Sequence, residues 1–132
     1  MAEIIGALSA SLHLTEKLVK YCRSFKDASA DAANLVEEVA AVNRVLQALR
    51  QTLNNPPPGI SFQQTSSLLV SVQNCERRLR DIEIKLVPHV STLGRFFKRA
   101  KWPLEHRETM ENVESLHRFV QTFHLATTLD GL

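Results

Sequence analysis

The sequence predicts an all-α fold, an antiparallel bundle of four long helices with a short basic-aromatic corner before the last. Three observations lead there. Apolar residues recur at spacings of three and four in four separate blocks, the pattern of amphipathic helices. No stretch alternates apolar and polar residues as a half-buried strand would. Turn-forming residues are few and clustered: four Gly, and five Pro of which three are adjacent. With 132 residues, 44% hydrophobic and 23% charged, the whole chain from 1 to 132 reads as one domain able to bury a core.

The first helix is expected from about Ala2 to Ser24, with Ile5, Leu8, Leu12, Val19 and Cys22 along one face. No Asp, Glu, Lys or Arg falls between Ile4 and Thr15. Gly6 and Ala10 have the small-xxx-small spacing that suits a tight packing point inside a bundle. A break spans Ser24 to Ser29, where Asp27 or Ser29 can cap the second helix and Asp31 falls in its first turn. Leu35, Val39, Val42, Leu46, Leu49 and Leu53 then step by 4, 3, 4, 3, 4, a heptad seam. Of these, Leu35, Val39, Leu46 and Leu49 are assigned to the core.

Asn54-Asn55-Pro56-Pro57-Pro58-Gly59 ends that helix, because consecutive prolines cannot continue it. Ser61 and Gln64 have capping-box spacing and open the third helix. Its seam is Leu68, Val72, Cys75, Leu79, Ile82 and Leu86, with Leu79 and Ile82 assigned to the core. Pro88 should end or kink it. The corner follows, Arg95-Phe96-Phe97-Lys98-Arg99-Ala100-Lys101-Trp102-Pro103-Leu104. Pro103 suits the first position of the fourth helix, and Glu105 and Glu108 suit the positive end of its dipole. Val113, Leu116, Val120 and Phe123 mark its buried face, and Val120 joins the core list.

Helices of about 24 residues reach roughly 36 Å, and short connections make neighbours antiparallel. The proline loop and the four-block layout favour folding back within one chain over an extended intermolecular coiled coil. Net charge is only +2, but it is uneven. Residues 76–101 carry eight cations against three anions, and residues 102–132 carry two against five. Cys22 and Cys75 fall at apolar seam positions, so buried reduced thiols and a cytoplasmic home are expected. The opening Met-Ala-Glu lacks the basic start of a secretory signal.

Catalytic patterns are missing from the sequence: no Gly-rich phosphate loop, no Cys-x-x-Cys, no His-Glu-x-x-His, no Gly-x-Ser-x-Gly. His117 and His124 lie seven apart and share a helix face, but exposed positions beside the core stripe account for them without a metal. Glu37-Glu38 and Glu111-Glu114 read as solvated faces. No catalytic, cofactor or metal residue is assigned, and the chain is expected not to be an enzyme. Glu76, Asp81 and Glu83 interrupt the cations Arg77, Arg78, Arg80 and Lys85, which disfavours nucleic acid as a partner.

A membrane surface fits the corner better. Arg95, Phe96, Lys98, Arg99 and Lys101 are the candidates for contact with anionic lipid. Each Lys or Arg near such lipid contributes about 1 kcal/mol. Four give about 4 kcal/mol, roughly millimolar affinity. One copy would hardly bind, whereas clustered copies would bind by avidity. The uncharged stretch Ile4–Thr15 makes about 18 Å of helix, short of the roughly 30 Å hydrocarbon core. At rest, Ile5, Leu8 and Leu12 are expected to form the core face of a soluble helix.

The opening Met-Ala-Glu-Ile-Ile-Gly, the two heptad-rich helices and the run Leu93 to Leu104 ending Lys-Trp-Pro-Leu resemble fungal HeLo-like domains, including the SesA-type group. The resemblance covers essentially the whole chain. It implies a helical bundle at the N-terminus of a fungal NOD-like receptor or related STAND protein. It further implies a cell-death or incompatibility effector that is silent until its receptor oligomerises. Partners would be further copies and neighbouring receptor domains, and the destination on activation would be the plasma membrane. By the same resemblance Ile4, Ile5, Gly6, Leu8 and Leu12 would be the membrane-active positions. Trp102 would plug the core at the corner, with Lys98, Arg99 and Lys101 outside it. An adaptor bundle without lipid activity is the alternative.

Overall fold

The computed structural model describes residues 2–25, 29–54, 62–94 and 102–129. It holds four α-helices: α1 (Ala2–Arg23), α2 (Ala30–Asn54), α3 (Phe62–Gly94) and α4 (His106–Leu129). Polar contacts fix their directions. Asp31 pairs with His106 and Glu38 with His117, so residue numbers rise together and α2 and α4 run parallel. Arg78 bonds Asn112 and Lys85 pairs with Glu108, so α3 and α4 run antiparallel. Phe25, just past α1, meets Trp102, just before α4, so the end of α1 lies beside the start of α4 and successive helices alternate in direction, as the all-α bundle expected from the sequence requires.

Adjacency is less simple than direction. α1 packs along both α2 and α3, and α2 packs along both α1 and α4, while α3 and α4 touch only lightly. Among the described residues α2 and α3 do not meet, and neither do α1 and α4; these pairs occupy the diagonals. Short connections had suggested that each helix would lie beside the next. α3 instead follows α2 from the diagonal position.

The local signals explain most helix ends. Ser29 is the cap of α2, its Oγ accepting from Ala32 N at 3.1 Å. Glu3 in the first turn of α1, with Lys20 and Arg23 in the last, complements the helix dipole. Ser24 closes α1 through its N–H and its hydroxyl, which both donate to Tyr21 O, at 3.0 and 2.6 Å. Ser61 lies outside the described residues, and so does Asp27.

One expectation left open is narrowed, and one expected boundary is corrected. α3 does not end at Pro88 but continues to Gly94. A proline deprives the carbonyl four residues back, here Ile84, of its donor. Ile84 is 67% exposed, so water can reach that side of the helix and supply the missing bond. α4 begins at His106, not at Pro103, and Thr109 N donates to Glu105 O at 2.9 Å. Leu104 is buried, and inserting it keeps the chain out of helix until Glu105 can act as cap.

The core is continuous. Leu35, Val39, Val42, Leu46, Leu49 and Leu53 of α2 and Val72, Cys75, Leu79, Ile82 and Leu86 of α3 are all buried. Trp102 and Val120 are half-buried, packed against the edge of this cluster instead of enclosed in it. The α1 stripe differs from the one expected. Its buried positions include Ile4, Leu8, Ser11, Thr15, Leu18, Cys22 and then Phe25, a strict heptad with two polar members. Leu12 and Leu14 flank that line, and Ile5 and Val19 lie at its margin.

Burial raises the thiols of Cys22 and Cys75 from 9.0 to about 12, with Glu76 adding to the effect at Cys75. Both should resist alkylation at pH 8 and react only as fast as the bundle opens, read by mass spectrometry along a urea series. An unfolded thiol ionises near 9.0 while a buried one stays neutral. Stability is therefore intact below pH 9 and falls as pH rises towards 12.

Candidate functional site

Of the positions expected to meet a membrane, Ile4, Leu8 and Leu12 are buried in the folded bundle and Ile5 is half-buried. Gly6 is exposed, and a Cβ built there would meet open space. Gly6 and Ala10 are thus not a tight packing point. The close approach that a missing side chain permits is not used there. Arg95, Phe96, Lys98, Arg99 and Lys101 lie outside the described residues.

The described end of the corner is built around Trp102. The ring of Phe25, just past α1, meets it edge-on, with centroids 5.3 Å apart and planes at 86°. Trp102 Nε1 donates to Thr109 Oγ1 at 3.1 Å, which satisfies both polar groups in a half-buried place. Asp31 and His106 approach to 2.7 Å beside it, and Lys85 pairs with Glu108. Parts of all four helices converge at this end of the bundle.

A polar thread runs from α2 to the middle of α1. Gln47 Nε2 donates to Asn43 Oδ1 at 2.7 Å, and Asn43 Nδ2 donates to Thr15 Oγ1 at 2.8 Å. Thr15 Oγ1 in turn donates to Leu12 O at 2.7 Å. Thr15 is fully buried, as is Ser11 one turn earlier, whose hydroxyl finds no partner. The expected apolar face of the first helix missed both residues. The heptad running from Ile4 to Phe25 was readable only by counting polar residues into it.

The α3 cations are largely answered within the chain. Arg80 grips Glu76 Oε2 with Nε at 3.1 Å and Nη2 at 2.9 Å. Arg78 Nη1 reaches Asn112 Oδ1 at 3.3 Å, and Asn112 Nδ2 donates to Glu108 O at 3.0 Å. Light α3–α4 packing leaves a groove of about 240 Å³ there, lined by Arg78, Asp81, Ile82, Ile84, Lys85 and Asn112. A shallower hollow of about 610 Å³ lies between α2 and α4, beside Glu38, Glu114 and His117. Glu38 is not the solvated residue expected. Its Oε1 lies 3.2 Å from His117 Nδ1, and its Oε2 is buried without a partner.

Neither hollow is lined by a Ser, Thr or Cys side chain beside a base. Among the described residues no three His, Cys, Asp or Glu side chains could hold one metal ion, and His124 is exposed. No described helix is long and apolar enough to cross a membrane. No family model, curated protein or solved structure matches the chain.

Two substitutions probe this geometry. Ser11→Ala removes a buried hydroxyl that makes no bond and improves helix propensity, so it should stabilise the bundle by about 1 kcal/mol in urea unfolding. Thr109→Val leaves the Trp102 N–H without its acceptor. It should cost about 1–2 kcal/mol and shift the emission of the only tryptophan to the red.

Proposed function

We propose that this chain is a non-enzymatic signalling domain of the HeLo-like kind that acts at anionic membranes when several copies are clustered. One observation carries the reading. The uncharged stretch Ile4–Thr15 of α1 turns its apolar face into the bundle, with Ile4 and Leu8 almost wholly enclosed. Such a segment is silent while folded. Released, it offers an apolar surface too short to span a bilayer alone, so that several copies would have to act together. On this reading the domain waits in the cytoplasm at the head of a NOD-like receptor or related STAND protein. Oligomerisation brings it to the plasma membrane, and cell death or incompatibility is the output.

An adaptor without lipid activity is the second reading, and two observations favour it. α1 is held by both α2 and α3, so releasing it opens two interfaces at once. Val70 and Ile84 are 55% and 67% exposed and sit two heptads apart, on one outward line of α3. Such a line suits contact with a partner bundle or a second copy.

Forced clustering separates the readings. The domain fused to an inducible oligomeriser should release dye from anionic liposomes in proportion to clustering. Lys17 Nζ lies 3.7 Å from Glu83 Oε2. Lys17→Cys with Glu83→Cys, joined by a short bismaleimide, therefore ties α1 to α3 without entering the core. The tied protein should leak at least tenfold less. Equal leakage would remove α1 from the mechanism, and no leakage from any form would leave the adaptor.

A further inference from the structure

We propose that the polar thread Gln47–Asn43–Thr15 is a register lock, a device that decides at which height α1 docks on α2. The need for one follows from the seams themselves. The α1 seam repeats at Ile4, Leu8, Ser11, Thr15, Leu18, Cys22 and Phe25. The α2 seam repeats at Leu35, Val39, Val42, Leu46, Leu49 and Leu53. Two strict seven-residue patterns can slide past each other by one heptad and still set seam against seam. Such a slide moves α1 by about 10 Å. The six residues 24–29 reach about 20 Å when extended, so the connection permits it.

Hydrophobic burial alone therefore discriminates poorly between registers, and the polar groups discriminate well. In the observed register Thr15 faces Asn43, and their bond is 2.8 Å. Gln47 occupies the Asn43 carbonyl oxygen, which turns the amide N–H toward α1. Thr15 passes its own proton to Leu12 O, so its oxygen is left to accept. The antiparallel slide one way would set Asn43 against Leu8 and Thr15 against Val36. The slide the other way would set Asn43 against Cys22 and Thr15 against Arg50. Either leaves the Asn43 amide pressed on a side chain that cannot accept well. A half-buried amide without its partner is penalised far more than a satisfied one is rewarded. The lock thus acts by excluding wrong registers; it adds little to the stability of the right one.

Spin labels at Lys20→Cys and Arg50→Cys, both exposed positions, read the height of α1 as a distance, with the native thiols left buried and unlabelled. The parent should give one narrow distance. Thr15→Val with Asn43→Leu should melt no lower than the parent but show a second distance displaced by about 10 Å. One narrow distance in that variant would overturn the proposal and hand the register to the apolar seam or to the Phe25–Trp102 contact. Should the apolar variant precipitate, Thr15→Val with Leu8→Thr moves the hydroxyl by one heptad and decides the matter. The distance should then shift to the slid register, and an unchanged distance would equally refute the lock.

Discussion

The bundle depends on one interface, the antiparallel pairing of α1 with α2. α3 is attached mainly through α1 and α4 mainly through α2, while α3 and α4 barely touch each other. The first two helices act as a spine with one outer helix on each side. Fully burying a leucine or isoleucine is worth roughly 1.5–3 kcal/mol. Ile4, Leu8 and Leu18 on α1, with Leu35, Leu46 and Leu49 on α2, supply several such contributions to one continuous cluster. Loss of the spine would leave α3 and α4 with no substantial surface to share.

Where packing is light, polar contacts take over. The α3–α4 side is joined by Lys85–Glu108 and Arg78–Asn112. Exposed pairs of this sort contribute about 0–1 kcal/mol each. They orient more than they stabilise. The same holds for the two His–carboxylate contacts between α2 and α4, which mark a parallel alignment that the hydrophobic seam would not specify by itself. Basic charge on α3 that looks available in the sequence is in large part engaged by Glu76, Asn112 and Glu108.

The helices of this protein were legible where the seam is purely apolar. On α2 and α3 the heptads from Leu35 to Leu53 and from Val72 to Leu86 are buried in full. They were harder to read where polar residues enter the seam. Ser11 and Thr15 drew the eye to Ile5 and Val19, one position off the buried line of α1. Thr109 and Asn112 likewise hid the first half of the α4 face. Pro103 misled for a different reason, and Pro88 left an end and a kink both open. Local rules place a break at a proline, but tertiary burial of Leu104 and solvent access at Ile84 decide where the helices stop. The diagonal placement of α2 and α3 had no local signal at all, since adjacency is set by which faces match and not by connection length. As for the site, Leu8 and Leu12 are buried as the resting core face expected of them requires, whereas Ile5 is half-buried and its neighbour Ile4 takes the enclosed place. The thread through Thr15 was invisible without knowing what stands opposite.

Trp102 has a consequence for how the diagonal members communicate. Among the described residues the backbones of α1 and α4 do not pack along each other, yet the indole touches Phe25 just past the end of one and is bonded to Thr109 in the first turns of the other. One ring thus adds a direct joint between two rods that are otherwise held together through α2. Linkage runs both ways through such a joint: whatever loosens the start of α4 relaxes the end of α1, and the reverse holds with equal free energy. The indole ties the first and last members of the fold together at one end.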